Sequence, residues 1–179
     1  MGISTVSDDQ LPRLRRLGPR EVAKELRVPF WRVPQITKAV RKAMHARMEH
    51  LNPFEGIAEM LHELWERGTR TAIVSSNAYE NVSAFLARHG IDRFEHVSCG
   101  VGLFGKASRL KQVSRSPQFA GLNTFYVGDE VRDVAAATTA GMRSVAVSWG
   151  YAERDVLEAQ CPDFLVHGPD ELLSVLAPV

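Results

Sequence analysis

From Pro53 onward, stretches with helical spacing of apolar residues alternate with short runs typical of a buried strand. Such alternation is characteristic of a parallel sheet covered by helices on both faces. The β-branched and apolar runs predict strands at 71–74, 94–98, 124–127, 144–147 and 163–166. The helix predicted at 131–140 is the clearest, because Gly141 is a good residue for a helix C-terminus. The sequence therefore predicts an α/β fold built on a parallel sheet.

The first 52 residues follow a different pattern, and we divide the chain into a helical part at 1–52 and an α/β core at 53–179. Residues 1–12 are polar and mixed, and predict neither a good strand nor an obvious helix. Gly18-Pro19 opens a short predicted helix that ends near residue 26. Pro34 opens a longer one with apolar residues at helical spacing.

Composition excludes several classes of protein. The 179 residues suffice for one core with a small appendage, and 45% hydrophobic and 24% charged residues are ordinary for a globular protein. A net charge of +1 favours neither nucleic acid nor an anionic membrane as partner. No apolar run reaches membrane-spanning length, and Cys99 and Cys161 lack zinc-site spacing. We therefore expect a cytoplasmic protein, and oligomeric state is left open.

Two carboxylates follow the strand predicted at 124–127. Gly128 allows a sharp turn, and Asp129 and Asp133 lie one helical turn apart where the next helix begins. Ligands of open α/β sheets bind at this C-terminal edge of the strands. Mg²⁺ takes one or two protein carboxylates and completes its shell with water and phosphate oxygens. The alternative is that Asp129 caps the helix and Asp133 lies on a solvated face.

Two further groups follow other predicted strands and should reach the same edge. Ser75, Ser76 and Asn77 follow the strand at 71–74, where a hydroxyl and backbone N–H groups at a helix start can hold an anion. The alternative is an ordinary helix cap. Lys106 supplies a positive charge suited to a phosphate or to neighbouring carboxylates. Together with the acid pair, these groups suit a metal-bound phosphoryl group.

The glycine-rich stretch at 100–106 allows two other interpretations. It contains GxGxxG, a dinucleotide fingerprint, but that motif should follow the first strand of its domain and here comes late. It also contains GxxxxGK, which resembles a nucleotide-binding P-loop. Ala107 stands where a P-loop needs Ser or Thr to bind magnesium. A P-loop nucleotide binder is therefore kept as a disfavoured alternative.

These motifs resemble the haloacid dehalogenase superfamily, specifically its phosphoglycolate-phosphatase-like branch. Its strand ending in Ser or Thr falls on Ser75, its conserved lysine on Lys106, and its GDxxxD motif on 128–133. The resemblance implies a Rossmann-like sheet with a small helical cap. It further implies that Ser75 holds phosphoryl oxygens and Lys106 neutralises the phosphate. Asp129 would bind Mg²⁺ and Asp133 would position metal-bound water.

The sequence departs from this family at its first motif. The family has DxDGT after a hydrophobic strand, where the first Asp is the nucleophile that forms an aspartyl-phosphate. No DxDGT occurs in this chain, and Asp8-Asp9 has the wrong spacing. We therefore expect a truncated form that lacks the central first strand. The flanking strands would then pair directly, residues around Ile3 to Val6 would fill the space, or the chain would fold poorly.

The sequence thus favours a Mg²⁺-dependent phosphomonoester hydrolase family member for a small phosphorylated metabolite. Because the nucleophile is absent, we expect little turnover by this chain alone. The alternative is a non-catalytic relative that binds phosphate or a protein partner.

Overall fold

A computed structural model of the protein describes residues 6–102 and 105–177. The described residues before Pro53 form three helices, α1 (Leu11–Leu14), α2 (Pro19–Glu25) and α3 (Val33–His45), and 3-10 turns at Asp8–Gln10, Phe30–Arg32 and Met48–His50. The sequence predicts no obvious helix in residues 1–12. This prediction is wrong at Leu11 and Pro12, because both belong to α1. Pro12 lies in the first turn of α1, where a missing N–H costs no helical hydrogen bond.

The remainder of the chain alternates between helix and strand, as predicted. The elements are α4 (Ile57–Glu66), β1 (Ala72–Val74), α5 (Tyr79–Arg88), β2 (His96–Ser98), α6 (Lys106–Ser114), β3 (Phe125–Gly128), α7 (Val131–Ala140), β4 (Arg143–Val147), α8 (Arg154–Glu158), β5 (Phe164–Val166) and α9 (Pro169–Leu176). Every strand pair among the described residues is parallel. The α/β fold is therefore confirmed.

The described strands form two parallel sheets, β1-β2 and β3-β4-β5. One of the outcomes expected from the sequence is direct pairing of the two strands on either side of the missing one. In the described part of the chain this is wrong, because β1 pairs with β2 and β3 pairs with β4. Ile3 lies outside the described residues, and Val6 is not in a strand. The side chains of β3 are only half-buried, whereas 144–147 of β4 are buried. A missing strand beside β3 stays a prediction.

Helix α4 connects the cores of the two sheets. Leu64 on α4 and Val145 on β4, each 1% exposed, belong to the core of the larger sheet. Trp65 of the same helix packs in the core beside β1, and Leu61 contacts both clusters. Helices α6 and α7 pack together, and α6 also packs on β1. Shared helices thus hold the two sheets in one α/β arrangement.

Side chains of the helical part bind loops at the C-terminal edge of the sheets. The Arg15 guanidinium donates hydrogen bonds to the carbonyl oxygens of Tyr151 (2.6 Å) and Gly150 (2.9 Å). Arg41 on α3 donates to the carbonyl oxygen of Ser76 at 2.6 Å. The helical part therefore lies over the edge where the predicted site residues are found. None of the helices in the described ranges is long and apolar enough to cross a membrane.

Candidate metal and phosphate site

Three carboxylates meet in the turn between β3 and α7. One carboxylate oxygen from each of Asp129, Glu130 and Asp133 lies within 4.8 Å of the others. Gly128 ends β3, and Glu130 is the N-cap residue of α7 in extended conformation. This places acidic groups at a helix N-terminus, where the helix dipole favours negative charge.

Two glycines allow these acids to lie against the backbone. A Cβ on Gly128 would lie 2.4 Å from both Cβ and Oδ2 of Asp133. A Cβ on Gly150 would lie 2.1 Å from Cβ of Asp129 and 2.4 Å from its Oδ2. Both contacts are far shorter than real Cβ atoms make. The positions of both aspartates therefore depend on residues that have no side chain.

Asp133 is buried, and its carboxylate is bonded to a lysine and to two backbone N–H groups. Its Oδ1 forms an ion pair with Nζ of Lys106, and both side chains are shielded, at 5% and 11% exposure. Its Oδ2 accepts hydrogen bonds from the backbone N–H groups of Asp129 (3.2 Å) and Glu130 (3.1 Å). Asp133 therefore positions both Lys106 and the loop that carries the other two acids.

Lys106 reaches this position because it begins helix α6, which packs against α7. Its Nζ also lies 5.7 Å from the ring centroid of Tyr126 on β3. Burial, and next the charge of Asp133, raise the pKa of the Tyr126 hydroxyl far above its ordinary value. Tyr126 therefore stays neutral, and Lys106 is the positive charge facing Asp133.

Asp129 is half-buried and is held by the loop after β4. Its Oδ2 accepts a hydrogen bond from the N–H of Tyr151 at 2.8 Å, and its carbonyl oxygen accepts one from Ala152 at 3.0 Å. The donor set formed with Glu130 and Asp133 is entirely carboxylate oxygen, which is what a hard divalent cation such as Mg²⁺ prefers. The residues present therefore fit a divalent metal.

Arg132 is paired with one of these acids and is left partly unsatisfied. Its Nη2 donates to Oε1 of Glu130 at 2.6 Å. Burial disfavours the charge of Arg132, but the hydrogen bond and charge of Glu130 outweigh it and raise its pKa. Nε and Nη1 are buried without a hydrogen-bond partner among the described residues. Leaving a buried donor unpaired costs about 1–3 kcal/mol, so an acceptor at this place would stabilise the protein.

The Ser75–Asn77 segment follows β1 and caps helix α5. The Ser75 hydroxyl accepts a hydrogen bond from the N–H of Asn77 at 3.1 Å, and Oδ1 of Asn77 accepts one from Ala78 at 2.8 Å. The carbonyl oxygen of Ser75 accepts from Val101 at 3.1 Å, in the loop that leads toward α6. The segment therefore lies at the C-terminal end of its strand, bonded to Val101 and without a hydrogen bond to the described carboxylates.

The structure thus brings Lys106, Asp129 and Asp133 together, while the cluster contains more than these three residues. Glu130 and Arg132 were missed, although their place beside Asp129 and Asp133 in the sequence could have indicated them. Residues 103 and 104 of the glycine-rich stretch lie outside the described residues. The assignment of phosphate-binding and metal-binding roles stays a prediction.

Known proteins are similar to this chain in sequence or in fold. The profile of the haloacid dehalogenase-like hydrolase family matches residues 1–147. A phosphoglycolate phosphatase of Synechococcus elongatus is 31% identical over 176 residues, covering 98% of this chain and 83% of the relative. A pyrophosphatase PpaX of Bacillus cereus is 27% identical over 189 residues, covering 98% of this chain and 85% of the relative.

A solved structure of a haloacid dehalogenase-like family protein from Streptococcus pneumoniae has the same fold. Its TM-score is 0.76 at 18% identity, over 97% of this chain and 83% of that one. The family profile spans most of the present chain, and the sequence relatives cover nearly all of it. The chain therefore belongs to the haloacid dehalogenase-like hydrolase family, in its phosphoglycolate-phosphatase-like branch.

Proposed function

We propose that this chain carries the magnesium- and phosphate-binding groups of a phosphomonoester hydrolase that acts on a small phosphorylated metabolite. The observation that supports this most is the buried Lys106 ammonium beside the carboxylate cluster at the C-terminal edge of β3. A metal and a positive side chain at one edge of a sheet suit an ester of phosphoric acid. The name of one relative, a phosphoglycolate phosphatase, agrees with such a substrate class, and the other, a pyrophosphatase, is also named for phosphoryl chemistry.

Each residue then has a distinct role. Asp129 would hold Mg²⁺, which would withdraw charge from the phosphoryl oxygens when bound. Asp133 holds Lys106 in place and would position water beside the metal, and Lys106 would neutralise the phosphate. Ser75, with the backbone N–H groups of Ser76 and Asn77, holds the remaining phosphoryl oxygens.

We further propose that this chain binds phosphate groups but does not hydrolyse phosphate esters. The reaction of the family needs a nucleophilic aspartate in DxDGT, and this motif is not present in the 179 residues. The alternative of a non-catalytic relative is favoured by the same absence, and predicts the same binding. Family membership argues against the P-loop alternative.

The proposal also covers the cell compartment of the protein and the class of molecule that it binds. Both cysteines, Cys99 and Cys161, are free thiols, which supports a reducing cytoplasm. The net charge of +1 supports a small metabolite, rather than nucleic acid or a membrane surface, as partner.

Isothermal titration calorimetry tests the proposal with inorganic phosphate as the titrant, in the presence and absence of Mg²⁺. We expect phosphate to bind only with Mg²⁺, and Asp129→Asn to abolish this binding. Lys106→Met should weaken phosphate binding while the metal still binds. The control is Glu63→Gln, which removes an exposed carboxylate that pairs with Arg67 at the end of α4.

Two results would contradict the proposal. Binding of phosphate that needs no metal and survives Asp129→Asn would exclude the carboxylate cluster as the site. Rapid hydrolysis of p-nitrophenyl phosphate by the pure chain, lost in Asp129→Asn, would show that the chain is catalytic without DxDGT.

A further inference from the structure

The peptide group that joins Gly150 to Tyr151, in the loop after β4, lies between Arg15 and Asp129. Its carbonyl oxygen accepts a hydrogen bond from Nη2 of Arg15 at 2.9 Å. Its N–H donates to Oδ2 of Asp129 at 2.8 Å. Because the C=O and N–H of a planar trans peptide group point in opposite directions, Arg15 holds one edge of this group while the other edge holds the candidate metal ligand.

The next peptide group of the loop repeats this arrangement. Its carbonyl oxygen, that of Tyr151, accepts a hydrogen bond from Nε of Arg15 at 2.6 Å. Its N–H, that of Ala152, donates to the carbonyl oxygen of Asp129 at 3.0 Å. A guanidinium presents its N–H donors in a fixed fork, so one side chain can hold two successive peptide groups. Arg15 and Asp129 are therefore linked twice through the backbone of one loop.

The loop contains a glycine at the first of these peptide groups. A Cβ on Gly150 would lie 2.1 Å from Cβ of Asp129, so the close approach of the loop requires this residue. Glycine also leaves the backbone more freedom to rotate than any other residue does. The residue that lets the loop reach Asp129 thus leaves the peptide group beside it less restricted when Arg15 does not hold its carbonyl oxygen.

Arg15 differs from the next arginine in the chain by what it binds. Arg15 is half-buried, and among the described residues it forms no ion pair with a carboxylate. Its charge is instead directed at the two carbonyl oxygens. Arg16 pairs with the exposed carboxylate of Asp155 on α8, through bonds of 3.0 and 2.6 Å. Both arginines attach the helical part to the core, and of the two it is Arg15 that is connected to Asp129.

We propose that Arg15 is a positioning residue for the metal ligand Asp129 and acts through the backbone of the loop at 150–152. It fixes the two peptide groups whose N–H groups hold the side chain and the carbonyl group of Asp129. This inference rests on the proposed function, because it takes Asp129 as a ligand of Mg²⁺. It adds a residue of the helical part to those that set the affinity for the metal.

The sign of the effect distinguishes this role from the charge of Arg15. A positive side chain repels a metal cation, so removing its charge should by itself strengthen Mg²⁺ binding. Losing a group that holds a metal ligand in place typically weakens metal binding by about 10- to 100-fold. Because Arg15 acts through an intervening peptide group, we expect Arg15→Met to weaken Mg²⁺ binding by the lower of these factors, about tenfold. Arg15→Lys keeps the charge but lacks the planar fork, so it should also weaken binding.

Isothermal titration calorimetry with MgCl₂ alone measures the affinity of the original chain and of each variant. The matched control is Arg16→Met, which removes the same charge from the adjacent residue and breaks the pair with Asp155. It should leave Mg²⁺ affinity unchanged or slightly higher. Amide hydrogen exchange of Tyr151 and Ala152, followed by NMR without metal, should be faster in Arg15→Met than in the original chain and in Arg16→Met.

The outcomes separate this inference from the proposed function. If the original chain binds Mg²⁺ and Arg15→Met binds it at least as tightly, the inference is wrong and the proposed function stands. Equal weakening by Arg15→Met and Arg16→Met would also overturn the inference, because attachment of the helical part would then explain the effect. If Arg15→Met does not fold, undiminished Mg²⁺ binding by Arg15→Lys overturns it. If the original chain binds no Mg²⁺, the proposed function fails and the role of Arg15 fails with it.

Discussion

The ion pair between Lys106 and Asp133 gives a quantitative prediction about stability. Both side chains are shielded from water, at 11% and 5% exposure. In Lys106→Met, Asp133 keeps hydrogen bonds from two backbone N–H groups but loses its counter-charge. Removing one partner of a buried pair costs about 3–5 kcal/mol. Since whole domains are stable by about 5–15 kcal/mol, the loss should be a large fraction of the free energy of unfolding.

The double variant Lys106→Met/Asp133→Asn should cost less than the sum of the single variants. Removing the second charge relieves the unpaired carboxylate, and contacting residues show coupling of about 0.5–3 kcal/mol. Asp133→Asn alone should also be costly, because it leaves the Lys106 ammonium buried without its partner.

Urea denaturation followed by tryptophan fluorescence measures these free energies. The control is the exposed pair of Arg154 and Glu158 on α8, where Arg154→Met should cost only about 0.3–0.5 kcal/mol. The reasoning is refuted if Lys106→Met costs no more than the control. It is also refuted if the effects of Lys106→Met and Asp133→Asn simply add.

Three further predictions concern the supports of the site and the core. Gly150→Ala should destabilise the protein by about 1–3 kcal/mol or more and weaken Mg²⁺ binding in calorimetry, because the new methyl overlaps Asp129; unchanged Mg²⁺ affinity would contradict this. The Ser144 N–H and hydroxyl lower the pKa of Asp163. Its ionised form therefore stabilises the folded state above pH about 4, and the stability gap to Asp163→Asn should shrink as pH falls below that value; a gap that grows on acidification would be the wrong sign. Leu64→Ala should cost about 2–5 kcal/mol in urea denaturation, because Leu64 is 1% exposed; a loss below 1 kcal/mol would show looser packing than the structure has.

Local signals in the sequence were sufficient for most elements of the fold. Helix α7 is found at Val131–Ala140 as predicted, because Gly141 ends it with a positive φ of 74° that glycine adopts freely. Strands β1, β2 and β5 lie within the predicted runs, while β3 extends one residue beyond its run to Gly128 and β4 begins one residue early at Arg143. Helix α1 was missed because residues 1–12 are polar and mixed, although Pro12 is tolerated in its first turn.

Contacts between distant segments could not be predicted in this way. Asp129 is held by the N–H of Tyr151 after β4, and the backbone approaches closely at Gly150. Nothing in the spacing of apolar residues indicates which loop will cross above a given aspartate. The donors of Arg132 that have no partner among the described residues likewise depend on where the helical part lies, which is a tertiary property.

The separation of the two sheets is the other feature that local patterns left undetermined. Strand propensity predicts that β1 and β3 are strands, but not which neighbour each one takes. Their partners are β2 and β4, and the half-buried side chains of β3 agree with a strand that lacks a neighbour on one side.

The most direct test of the account is whether metal and phosphate occupy one site beside Lys106. Mn²⁺ replaces Mg²⁺, and the ³¹P relaxation rate of inorganic phosphate is measured with the original chain, with Asp129→Asn, and with Mn²⁺ alone. We predict that the original chain enhances the relaxation strongly over Mn²⁺ alone, and that Asp129→Asn removes the enhancement. Equal relaxation in all three samples would show that the carboxylates, glycines and lysine described here do not form a metal–phosphate site.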